Sequence, residues 1–204
     1  MENSSKTFTP EESLRLIEKY ISNYRKNYRS DSFYFLLWGW VITIASLSHF
    51  TILRVLLSQA EYDLINMVSA LNWSLFVIIG FVLQYYHISR MSGDQLKRSH
   101  LDKFISTLWQ SAGGVILLVA LISVKLGEYP TPFVLSVAGL ATFITGRMIR
   151  FNPLKVGGIV FFIFAVVAAF VVNEYQLLVN AVAIFLGYII PGYLLRNTKY
   201  VNHV

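Results

Sequence analysis

Six stretches of the chain, residues 33–53, 64–86, 104–124, 129–146, 156–173 and 175–195, run for 18 to 23 residues without Asp, Glu, Lys or Arg. A helix rising about 1.5 Å per residue crosses a hydrocarbon core of about 30 Å in roughly 20 residues. Each stretch therefore predicts a membrane-spanning helix, and the short connections leave no room for a separate folded unit between them. Before the first stretch the pattern changes. Apolar positions recur at Leu14, Ile17, Ile21, Tyr24 and Tyr28, spaced 3, 4, 3 and 4, with charges between them. Such spacing draws one stripe along a helix. Thr9-Pro10-Glu11-Glu12 predicts its start: Thr9 caps, Pro10 suits the first helical position, and Glu12 completes a capping box while both acids favour the helix dipole.

The stripe either rests on lipid headgroups and the protein's own loops, or docks a protein partner or a second copy of the chain. Two heptads are too few for an independent coiled coil. Leu14, Ile17, Ile21 and Tyr24 are its candidate partner-binding residues. Ser30-Asp31-Ser32 either caps the first membrane helix or is absorbed into one long helix. The expected fold is all-α: a polytopic membrane bundle of six transmembrane helices preceded by a cytoplasmic amphipathic helix. Residues 1–31 form that helix, 32–196 the bundle and 197–204 a short cytoplasmic tail.

Charge orients the bundle. Of 17 Lys and Arg, 15 lie before the first stretch, after the second, fourth and sixth; Arg54 and Lys125 lie in the alternate connections, beside Glu61, Asp63, Glu128 and Glu174. By the positive-inside rule both termini face the cytoplasm. The net charge of +6 thus belongs to helix ends and anionic headgroups, and nucleic acid is not an expected partner. The polar first 31 residues do not read as a signal peptide. The chain has no Cys, so disulfides, thiolate metal sites and Cys nucleophiles are excluded.

Packing signals are visible within the stretches. Ala138, Thr142 and Gly146 form a small stripe on the fourth helix, and Ala165 and Ala169 a shorter one on the fifth, faces that let helices approach closely. Gly113-Gly114 and Gly157-Gly158 permit further approach. Pro191 removes one backbone donor and releases the carbonyl of Gly187, which predicts a bend within residues 187–192 and makes Gly187 and Pro191 the candidate hinge. Asp31-x-Phe33-x-x-x-Leu37-Trp38 recurs as Asp102-x-Phe104-x-x-x-Leu108-Trp109, which is compatible with three helical hairpins.

No carboxylate lies inside a stretch, which counts against an ion-coupled pump. His49, Asn72 and Asn180 fall roughly 4 to 9 Å from the run midpoints toward the outside at about 1.5 Å per residue. They are candidates for one polar ligand-binding layer, or for separate interhelical hydrogen bonds. Toward the cytoplasmic end, Gln84 and Arg147, with Arg150, Tyr85, Tyr86 and His87, suit a lipid headgroup or another anionic ligand. Trp38, Trp40, Trp73 and Trp109 fit interfacial belts or packing. The four histidines show no metal-ligand spacing, there is no phosphate loop and no local nucleophile motif, so no metal, cofactor or catalytic residue is expected.

Thr9-Pro10-Glu11-Glu12-Ser13-Leu14, Asp31-Ser32-Phe33-Tyr34-Phe35-Leu36-Leu37-Trp38-Gly39-Trp40, Pro153-Leu154-Lys155-Val156-Gly157-Gly158 and Tyr188-Ile189-Ile190-Pro191-Gly192-Tyr193-Leu194-Leu195 resemble a family of small uncharacterised bacterial six-helix integral membrane proteins. The resemblance runs over nearly the whole chain. It implies a bacterial inner membrane and this topology, and brings no activity with it. Two functional expectations follow: a non-enzymatic regulator or accessory subunit that docks a partner through its N-terminal helix, or a small-molecule or lipid transporter or channel built on the polar layer around His49.

Overall fold

The computed structural model describes residues 10–60, 62–90, 100–172 and 174–197, with side chains described in 32–60, 62–90, 101–172 and 174–197. The described residues form helices α1 (Pro10–Ser58), α2 (Tyr62–Ser89), α3 (His100–Leu126), α4 (Thr131–Met148), α5 (Asn152–Phe170), α6 (Tyr175–Ile184) and α7 (Ile190–Asn197), with a π-helical turn, Phe185–Ile189, joining the last two. Six spans, Ser32–Ser58, Tyr62–Ser89, Leu101–Leu126, Thr131–Met148, Asn152–Phe170 and Tyr175–Asn197, are long and apolar enough to cross a membrane. This is the architecture of a multi-pass membrane protein. The segment Ser30-Asp31-Ser32 lies inside α1, so no break separates the first span from the residues before it. The side chains of the stripe Leu14, Ile17, Ile21 and Tyr24 lie outside the described residues.

Tight turns reverse the chain between spans. After α3, Gly127 adopts φ +73°, and the N–H of Glu128 reaches back to the Ser123 carbonyl at 2.9 Å. After α4, Arg150 adopts φ +56°, and the N–H of Phe151 reaches the Gly146 carbonyl at 2.9 Å. Both closures satisfy carbonyls that a helix end leaves open. Only the first uses the residue type that reaches this conformation without strain. A proline in the first turn, Pro132 or Pro153, then starts the next helix.

Four spans build the core: α1, α4, α5 and the α6–π–α7 span. The closest pairing is α4 with α5, where Gly146 abuts Lys155 and Gly158 abuts Phe143 so tightly that a Cβ on either would fall 2.7 Å from backbone nitrogen. Phe161 is fully buried between these helices and the π turn, and its ring packs edge-on to Tyr188 with centroids 4.7 Å apart. The predicted small stripes divide here. Ala138, Thr142, Gly146 and Ala165 are buried, whereas Ala169 faces outward and Ala168 takes the inner position. Gly113 and Gly114 have nothing near them.

Helices α2 and α3 flank this core. Among the described elements α2 packs on α1, and α3 packs on α4, reaching α1 and the π turn through the Trp109 ring. In the apolar window of α3 only 6% of residues are buried, against 56% in the α6–α7 span. Most of the surface of α3 thus meets the surrounding medium, which for an apolar helix is lipid or another helix. Each of the two repeated tryptophans bonds the helix that follows its own: Trp38 Nε1–H donates to Gln84 Oε1 at 2.9 Å, and Trp109 Nε1–H to Thr145 Oγ1 at 3.2 Å.

Candidate functional site

One turn of α1, residues 45–49, gathers one set of the polar groups that the spans contain. Its side chains leave the helix in two directions. Toward α2, the Ser48 hydroxyl lies 2.8 Å from Asn72 Oδ1, and Asn72 Nδ2 donates to the Ala45 carbonyl at 3.1 Å. His49, one residue on, takes the Trp73 indole N–H on Nδ1 at 3.1 Å. Since Nδ1 accepts, the neutral ring carries its proton on Nε2, which lies 2.7 Å from Ser69 Oγ and donates to it. Toward α6, Ser46 Oγ accepts from Asn180 Nδ2 at 2.8 Å.

His49, Asn72 and Asn180 are therefore brought to one level, each no more than 7% exposed, as a girdle of hydrogen bonds on α1. Asparagine or histidine buried at membrane depth is costly unless bonded, and each finds a partner here. Two buried polar atoms are left over: Asn180 Oδ1 and, one turn along α1 from Ser46, Thr43 Oγ1 have no hydrogen-bond partner among the described residues. Sequence reasoning missed Ser46, Ser48 and Ser69. Small hydroxyls are common in membrane helices, and only the pairing of helix faces singles these out.

At the other end of the spans lie Arg90, Lys103, Arg147, Arg150, Lys155 and Arg196, with Asp102 as the one carboxylate among the described side chains there. Gln84 sits on α2 bonded to Trp38, and Arg147 is exposed on α4, a helix that makes no substantial contact with α2. The structure thus keeps those two candidates apart. What α2 does assemble is a different group: Phe33 stacks on His87 at 3.6 Å between centroids and 15° between planes, and the Arg90 guanidinium lies 4.4 Å over the Tyr86 ring.

The candidate hinge is a packed element. Gly187 and Pro191 are both buried; a Cβ on Gly187 would fall 2.5 Å from the Phe161 ring, and one on Gly157 would fall 2.5 Å from the Gly187 carbonyl oxygen. A π turn, Phe185–Ile189, interrupts the helix shortly before Pro191, a device that accommodates one extra residue in a helix. At the end opposite the arginines, Arg54 pairs with Glu174 at 3.6 Å, and the half-buried Tyr129 has its phenol pushed above the ordinary range by burial and by the Glu174 carboxylate.

Among the described residues no group of three or more His, Cys, Asp or Glu could hold a metal ion. Fold and site together describe a helical membrane bundle with an internal hydrogen-bonded girdle. No protein-family model, curated protein or solved structure matches the chain.

Proposed function

We propose that this chain is a non-enzymatic regulator or accessory subunit of a bacterial inner membrane, with both termini in the cytoplasm, and that it docks a protein partner through the stripe Leu14, Ile17, Ile21 and Tyr24. The observation that carries this reading is the continuity of α1. A single helix of 49 residues contains both the striped segment and the first span, so a partner held on the stripe is coupled directly to the bundle. The competing reading, a transporter or channel, calls for unspent polar groups along a path. Its candidates His49, Asn72 and Asn180 each bond a neighbouring helix, which leaves Asn180 Oδ1 as their one buried unpartnered atom among the described residues, and its hinge is packed against Phe161 and Gly157.

The test is purification in mild detergent from native membranes of the full chain beside a variant lacking residues 1–31, with bound proteins identified by mass spectrometry. A stoichiometric partner on the full chain alone is expected. Two equally folded, partner-free proteins would reject the docking role and direct attention to transport assays.

A further inference from the structure

The basic end of the α1–α2 hairpin holds a groove of about 300 Å³ lined by Phe33, Leu37, Leu83, Tyr86, His87 and Arg90. Four of these six side chains are apolar or aromatic without a charge, and the cation sits at the helix end, beyond them along the span. We propose that this groove is a binding site for one anionic phospholipid, with an alkyl chain against Phe33, Leu37 and Leu83 and the phosphate on Arg90. The inference is independent of the docking role assigned to the N-terminal helix.

Three observations carry it. The groove opens on an exposed part of α2: Leu83 and Tyr86 are 44% and 53% exposed, on a helix that touches the bundle along one side only. Its volume lies at the small end of the range for ligand sites, which fits part of one alkyl chain and not a folded peptide segment. The charge is complementary. Arg90 has no carboxylate within ion-pair distance among the described residues, and its guanidinium is oriented by the Tyr86 ring. His87 is fixed by stacking on Phe33 and forms a wall of the groove. A planar guanidinium is suited to the oxygens of one phosphate.

Native mass spectrometry of the full-length protein, reconstituted in vesicles of phosphatidylcholine and phosphatidylglycerol, tests the site. One phosphatidylglycerol per chain is expected to survive detergent exchange. Arg90→Gln should lower its retention about tenfold, the size of one charge-assisted hydrogen bond. His87→Phe, which keeps the stacking on Phe33, should leave it unchanged. Leu83→Trp, which fills the groove, should lower it with Arg90 intact; if that variant loses its helical circular dichroism, Leu37→Phe replaces it. Excess inorganic phosphate should leave the lipid in place.

Arg196→Gln, at the same end of the bundle, should retain the lipid as the parent does. Equal retention in every variant would overturn the proposal. A loss with Arg196→Gln as large as with Arg90→Gln would reduce the effect to general surface charge and overturn it too. Displacement by inorganic phosphate would make this an anion site and reject the lipid.

Discussion

His49 and Asn180 illustrate what a buried polar side chain does in a membrane helix. Each has a specific partner, and losing that partner exposes a polar group to a medium that offers no replacement. Trp73→Phe removes the donor to His49 Nδ1 while keeping an aromatic ring; unfolding in detergent should show a loss of about 1–2 kcal/mol. A double-mutant cycle between Ser46→Ala and Asn180→Ala should give a coupling of about 0.6 kcal/mol, the average for interhelical hydrogen bonds in a membrane protein, and no more than about 1.7 kcal/mol. A coupling near zero would show that Asn180 is held by something other than Ser46. The layer itself was legible in the sequence, because depth along a span follows from counting residues. Its partners were not. Ser46, Ser48 and Ser69 acquire meaning only once the faces of α1, α2 and α6 are set against one another, and single-chain periodicity contains no such information. The same limit explains Arg90: counting placed it among the basic residues four positions after Tyr86, while Phe33 joins its groove only through the pairing of two helices.

At the scale of elements, close approach separates glycines that look alike in the sequence. Gly157 and Gly158 are pressed against backbone, so Gly157→Ala should cost about 1–3 kcal/mol through the displaced Gly187 carbonyl. Gly113 faces open space, so Gly113→Ala should stabilise α3 by up to about 1 kcal/mol through helix propensity alone. Thermal unfolding of the two variants side by side checks the contrast. Helix number, order and limits were readable from the charge-free stretches to within a few residues, and Pro191 marked where α6 is interrupted. The choice of Ala168 over Ala169 was not readable, since both alanines satisfy a small-residue spacing and only the rotation of α5 about its axis decides between them. The turn between α3 and α4 adds a pH dependence. Tyr129 has a raised pKa in the folded protein, so its contribution is complete below about 10 and is lost as pH rises through the folded value. Tyr129→Phe should therefore flatten the fall in melting temperature above pH 10 and change little near neutrality.

The whole molecule is a four-span core with one helix attached at each flank. Two consequences are open to measurement. Because the chain has no Cys, single substitutions report sidedness cleanly: Asn197→Cys should react with an impermeant maleimide only from the cytoplasmic side, and Ala60→Cys only from the other. Reaction of both from one side would reject the six-span topology. The continuity of α1 carries the second. Some 22 residues of helix precede Ser32, a rod of about 33 Å at about 1.5 Å per residue. Continuous with the first span, this rod is a lever arm: a tilt of about 10° in the span would sweep its tip sideways by about 6 Å over such a length. A displacement too small to disturb the packed interior is thereby magnified at the far end into a movement the size of a helical turn.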